Sequence, residues 1–343
     1  MTPAWENDGP EGQAPSALIV GLAGPALLPS ERAFLREAEP WGLILFARNV
    51  ETPAQVAALT AEARAAVGRD LPVLIDQEGG RVARMEPPHW RAWPPVLETV
   101  GALGAAEAAE ALRLRFRLIA HELRQCGVDV NCMPLLDVLQ PQTHAVIGAR
   151  ALGREPEAVA RFGRVIHDAL LAGGVLPVIK HLPGHGRAAL DTHLALPRVA
   201  APLPELEAVD FAAFRPLADA ALGMTAHIVY EALDPALPAT LSPAGIAAIR
   251  ERIGFDGLLM TDDLSMQALS GPIAARAEAA LAAGCDVILH CNGEMAEMEA
   301  IAAVTPRLSG LAAARAFRAL AARAAPAPFD ADGALGQYLA LAG

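Results

Sequence analysis

The chain has no cluster of lysines and arginines, few cysteines and no long apolar run, and each lack removes a class of function. With 27 basic against 39 acidic side chains, the formal net charge is −12. Nucleic acid demands a basic face to meet its phosphates, so it is not an expected partner. The four cysteines, Cys126, Cys132, Cys285 and Cys291, form no C-x-x-C pair, and each lies in or beside an apolar stretch. Reduced, buried thiols fit that placement better than a disulfide frame or a zinc site, and no metal is expected. No apolar run approaches the ~20 residues needed to cross a bilayer, so no membrane partner is expected. The opening MTPAWENDGPEGQ carries acids where a signal peptide is basic and lacks an apolar h-region, which points to the cytoplasm.

What is present is core material. Short apolar runs at 17–22, 42–46, 72–75, 128–132, 175–179, 223–226, 257–260 and 287–289 alternate with helical patterns. The clearest helices fall at 52–67, 105–126, 155–172, 203–221, 243–253 and 272–283. Gly127, Gly173 and Gly284 stand as helix stops, and Thr52-Pro53 and Ser242-Pro243 as helix starts. Strands this rich in Ile, Val and Leu suit parallel pairing with both faces covered. Eight of them in strict alternation with helices predict an α/β fold, a single (β/α)8 TIM-type barrel with long loops at the C-terminal strand ends. A doubly wound open sheet is the alternative. A polar tail over 1–14 precedes the barrel domain at 15–325, and a proline-bearing tail over 326–343 follows it.

Connections after Ile75, Cys132, Ile179 and Ala226 are too long for simple turns, and all leave C-terminal strand ends, where barrel enzymes keep their chemistry. The third strand runs into DQEGGRVARM, placing Asp76, Glu78, Arg81 and Arg84 at the mouth. Glu78 and Arg81 fit a structural ion pair as well as a binding role. The fifth runs into KHLPGHGRAALDTH, with Lys180, His181, His185, Asp191 and His193. A carboxylate beside an imidazole raises the imidazole pKa and equips it to give and reclaim a proton near neutral pH. Three histidines in one loop raise a metal site, but they lack H-E-x-x-H spacing and Lys180 would repel a cation. A Schiff-base role for Lys180 would require a lowered pKa, which nearby acids oppose. His227 tips the sixth strand as a further substrate-binding candidate, Asp262 and Asp263 tip the seventh, and His290, Cys291 and Asn292 the eighth.

The blocks GLILFARN, IDQEGGRVARM, KHLPGHG with the following DTH, AHIVY, GFDGLLMTDDLSM and AGCDVIL are similar to family 3 glycoside hydrolases, in order from about residue 17 to 303. Within that family they resemble the single-domain bacterial β-N-acetylglucosaminidases of peptidoglycan recycling. The resemblance implies Asp262 as nucleophile, His193 as acid/base paired with Asp191, and Asp76, Arg84, Arg150 in VIGARAL, Lys180 and His181 as substrate-binding residues. It also implies a retaining exo-enzyme acting on muropeptide-derived oligosaccharides. No nucleotide motif, cofactor-lysine setting or metal cluster stands out, so no cofactor is expected, and a monomer is expected. Two positions depart from the family pattern: threonine replaces serine inside Asp-Thr-His, and RALGREP replaces a more aromatic variant. Phosphate as acceptor, a β-glucosidase of the same family, catalysis by the substrate's own acetamide, and a sugar-binding barrel without activity stand as alternatives.

Overall fold

The computed structural model describes residues 14–192 and 195–342. Eight parallel strands alternate with helices: β1 (Ser16–Gly21), β2 (Pro40–Leu45), β3 (Val73–Ile75), β4 (Val130–Asn131), β5 (Leu176–Leu182), β6 (Leu222–Thr225), β7 (Leu258–Met260) and β8 (Ile288–His290). Hydrogen-bonded neighbours run β8-β1-β2-β3-β4-β5-β6-β7, and a parallel bridge between Met260 and Val287 joins the two ends of that series. The sheet closes into a (β/α)8 barrel. An open doubly wound sheet is excluded, since it would leave β7 and β8 as separate edges. Each expected strand lies within a few residues of an observed one.

Side chains divide by strand parity. Ala17, Ile19, Ile44, Leu74, Val178, Met224 and Leu289 fill the barrel interior, while Leu18, Val20, Leu43, Val73 and Ile288 pack outward against helices. Cover on both faces explains why the strands read as continuous apolar runs. The expected helix at 203–221 is broken into α, π and 3-10 turns, Leu203–Glu205, Leu206–Asp210, Phe211–Phe214 and Arg215–Leu217. No described helix is long and apolar enough to cross a membrane.

Helix Gly310–Ala321 closes the N-terminal end of the barrel, adding Ala316 and Ala319 to the interior cluster. Two aspartates fix it by the same device. Asp129, before β4, accepts the Val73 N–H at 2.7 Å, Arg64 at 3.2 Å, and Arg323. Asp286, before β8, accepts the Leu259 N–H at 2.9 Å, Arg250 at 2.6 Å and Arg315 at 3.0 Å. Each carboxylate thus satisfies a neighbouring strand and ties two helical segments to it. Asp129→Ala strands these donors at a buried position and is expected to lower stability by about 2–4 kcal/mol. Asp256→Ala removes only an exposed partner of Arg315 and Arg318 and costs under about 1 kcal/mol. Calorimetric melting of both variants checks this, and equal shifts would refute it.

The segment 326–343, expected to be a tail laid on the surface, is mostly exposed over its described residues and carries a helix over Ala331–Ala342. Asp330 accepts the Gly333 N–H at its start. Ala334 and Tyr338, one turn apart, are buried, with the Tyr338 ring edge-on to Trp93 at 5.1 Å. An apolar i, i+4 face past the two prolines gives this segment something to bury.

Candidate active site

The long connections converge on a cleft of about 230 Å³ at the C-terminal end of the strands. Asp76, Arg84, Arg150, Lys180, His181 and Asp262 all line it. Segments far apart in sequence meet here because every strand of a parallel barrel delivers its C-terminal end to the same face.

Lys180 is the centre of the polar floor. Its ammonium lies 2.9 Å from Asp76 and 2.7 Å from Glu78, and its side chain is 2% exposed. Arg84 reaches the other oxygen of Asp76 at 3.1 Å. Arg150 grips Glu78 through both oxygens, at 2.9 and 2.8 Å. Burial would raise the carboxyl pKa of Asp76, but Lys180 and Arg84 outweigh it and hold the group well below the ordinary carboxylate range. Glu78 is held down against burial in the same way by Arg150 and Lys180. Burial would lower the Lys180 pKa, yet Asp76 and Glu78 raise it above that of a free lysine. A charged lysine cannot open Schiff-base chemistry. It can donate to sugar hydroxyls, as can the arginine forks. Glu78, which the sequence left between two roles, organises Lys180 and Arg150 rather than lining the cleft.

A second cluster stands on Asp137, a residue that sequence reasoning missed. Its carboxylate binds His181 Nδ1 at 2.8 Å and accepts the backbone N–H groups of His181 and His185. The available signal was an acid in the long connection after β4. Asp137 fixes which nitrogen His181 presents to the cleft. The rings of His181 and His185 meet edge-on, centroids 5.4 Å apart. Among the described residues, no three His, Cys, Asp or Glu side chains are arranged to hold a metal ion.

At the tip of β7 two adjacent acids have different tasks. Asp263 is consumed by the fold: it accepts Ser265 N–H at 3.0 Å, Ser265 O–H at 2.6 Å and Cys291 N–H at 3.1 Å. Asp262 accepts the Asp263 N–H at 2.8 Å, and among the described residues no ion pair ties it down. Burial alone would raise its pKa. The His227 and His181 imidazoles, the Asp263 N–H and Lys180 together hold it below the usual carboxylate value. It is an ionised carboxylate facing the cleft.

His227 is not in the cleft lining, contrary to its expected substrate-binding role. It is fully buried, with Nδ1 2.8 Å from Thr240 Oγ1 and Nε2 3.0 Å from the Asp263 carbonyl. Thr240 in turn meets Thr225 at 2.8 Å, and Thr225 accepts the Asp262 N–H at 3.3 Å. This hydrogen-bonded circuit supports the backbone under Asp262. A strand-tip residue pointing between strands looks, in sequence, like one pointing into the mouth.

The segment after β5 runs along the same cleft. Thr192 lines it and ties to the connection after β7, its carbonyl accepting Ala268 N–H at 3.2 Å. Asp191 is half-buried and within electrostatic reach of Arg81, which lines the cleft. His193 lies outside the described residues.

Residues 28–323 match the sequence profile of the Glycosyl hydrolase family 3 N terminal domain. The chain is 41% identical over 281 residues to a Beta-hexosaminidase of Alkalilimnicola ehrlichii, with 80% of each chain covered. It is 40% identical over 310 residues to a Beta-hexosaminidase of Methylococcus capsulatus, covering 88% of this chain and 90% of that one. A crystal structure of NagZ from Neisseria gonorrhoeae in complex with N-trifluoroacetyl-D-glucosamine superposes with a TM-score of 0.84 at 32% identity, covering 96% of this chain and 98% of that one.

Proposed function

Because this chain belongs to glycosyl hydrolase family 3, we propose that it is a retaining exo-β-N-acetylglucosaminidase that releases terminal N-acetylglucosamine from muropeptide-derived sugars. The observation carrying the reading is Asp262: an ionised carboxylate, without an ion-pair partner among the described residues, at the wall of a cleft lined by Asp76, Arg84, Arg150, Lys180 and His181. Those groups suit the hydroxyls of one sugar ring. The names of the relatives support an N-acetylhexosamine as that sugar.

The reaction is a double displacement. An Asp262 oxygen attacks the anomeric carbon as the bond to the leaving oxygen breaks, and the His193 imidazolium, paired with Asp191, gives that oxygen its proton. Water then attacks the anomeric carbon of the glycosyl ester and passes a proton to the imidazole. The ester bond breaks, restoring Asp262 and imidazolium. Two inversions leave the anomeric configuration as it began.

The test is turnover of a chromogenic β-N-acetylglucosaminide and the matching β-glucoside, followed by NMR with and without inorganic phosphate. The expected first product is β-N-acetylglucosamine, indifferent to phosphate, with the glucoside a poor substrate. An α-anomer first product, sugar-1-phosphate, or preferred cleavage of the glucoside would each overturn the assignment.

A further inference from the structure

The turn at 183–188 is fixed from several sides. Gly184 O accepts the Tyr230 hydroxyl, Gly186 O accepts Thr143, and Arg187 pairs with Asp210 at 2.6 Å and Glu205 at 2.7 Å. With Asp137 holding its N–H, His185 has little backbone freedom. Its imidazole is delivered to the cleft, where the residue is 2% exposed and lies among the lining side chains.

His185 differs from the histidines beside it. His181 Nδ1 is met by Asp137, and both nitrogens of His227 are met by protein groups. His185 Nδ1 is enclosed by protein and, apart from a contact with its own backbone, has no hydrogen-bond partner among the described residues, so the ring nitrogen left to meet a ligand is Nε2. A histidine serving the fold alone is normally satisfied by the fold. His290 also leaves Nδ1 unmet, but it is not part of the cleft lining. Burial, helped by the neighbouring His181, pushes the His185 pKa down to about 4. At neutral pH the ring is uncharged and offers one donor and one acceptor.

We propose that His185 contacts the substrate directly, its imidazole hydrogen-bonding a hydroxyl or amide group of the sugar seated against Asp262. The assignment rests on the glycosidase reading above. It separates two histidines of one loop: His193 moves the proton, and His185 holds the sugar. An uncharged ring also leaves the Asp262 negative charge available to the cationic transition state.

The experiment measures kcat/KM from pH 5 to 9 for wild type, His185→Phe and His185→Gln. The substrates are a chromogenic β-N-acetylglucosaminide, its 3-, 4- and 6-deoxy forms, and the β-glucoside that lacks the acetamide. His185→Phe keeps the ring volume and loses both nitrogens, so the parent substrate loses roughly 10–100-fold. The loss disappears for the one analogue missing the contacted group, His185→Gln recovers part of it, and the basic limb of the pH profile is unmoved. A loss below about threefold, equal losses on every analogue, or disappearance of the basic limb would each refute the contact.

If His185→Phe does not fold, wild type crystallised with N-acetylglucosamine decides the matter. A ring nitrogen within about 3.5 Å of a sugar oxygen or nitrogen upholds the proposal, and a greater separation overturns it. Failure of wild type to cleave the parent substrate would instead refute the glycosidase reading.

Discussion

Asp262→Ala lowers kcat on a chromogenic β-N-acetylglucosaminide by about 10⁴-fold and leaves the melting temperature close to wild type. The small effect on folding follows from the surroundings. Among the described residues, no guanidinium or ammonium depends on this carboxylate, so its loss strands only the Asp263 N–H. The large effect on rate follows from the proposed mechanism, in which this carboxylate supplies the oxygen that bonds the anomeric carbon. Azide, small and anionic, can enter the vacated space and attack the same face of the sugar. The expected product is the α-glycosyl azide, from a single inversion. Recovery of a β-azide, or potent thiazoline inhibition together with failure of a fluorinated sugar to label wild-type Asp262, would give the nucleophile's part to another group.

The charge state of Asp262 adds a pH prediction. Its pKa is depressed, so the reactive anion persists as pH falls through the ordinary carboxylate value. The acid limb of kcat/KM is therefore expected below about pH 4, and a limb near pH 6 would contradict the assigned charge state.

Lys180→Met damages both activity and fold. The lysine lies between Asp76 and Glu78, and its loss leaves two buried carboxylates 104 and 102 positions away in sequence with only Arg84 and Arg150 to offset them. Breaking a buried ion pair by removing one partner costs about 3–5 kcal/mol. That corresponds to a drop of about 4–7 °C in melting temperature for a chain of this size. Turnover falls by at least ~10³-fold, because the ammonium and both orienting carboxylates lose their places together.

The sign with pH is fixed by the carboxylates. Their folded pKa values are depressed, so the stability they draw from Lys180 is full above about pH 4, the unfolded value, and is lost as pH falls further. The gap between variant and wild type is therefore widest near neutrality and narrows in acid, where protonation discharges the stranded pair. Urea unfolding at pH 7 and at pH 3, inside the window where the stability is lost, measures it. A gap independent of pH would show that packing, not charge, dominates.

The barrel was legible because its cause is local. A strand covered on both faces is apolar at every position, and a helix between strands repeats its apolar face every three to four residues. Reading order alone then put Asp76, Lys180 and Asp262 at one end of the barrel, since parallel strands share a direction. The helix at 331–342 escaped because Pro326 and Pro328 suggested a tail, while its burial depends on Trp93 being brought near by the fold.

Composition and periodicity thus determined the architecture and the face on which chemistry would occur. Only the tertiary structure decided what each polar group does there. Asp262 and Asp263 are adjacent and chemically alike; Ser265 and Cys291 N–H groups bind one and leave the other toward the cleft. His227 and His181 both stand at the C-terminal ends of barrel strands; Thr240 and the Asp263 carbonyl retain the first beneath the site, and Asp137 aims the second into it. Secondary structure follows from neighbours in the chain, which a sequence displays. Charge state and hydrogen bonding follow from neighbours in space, which are chosen when the barrel closes.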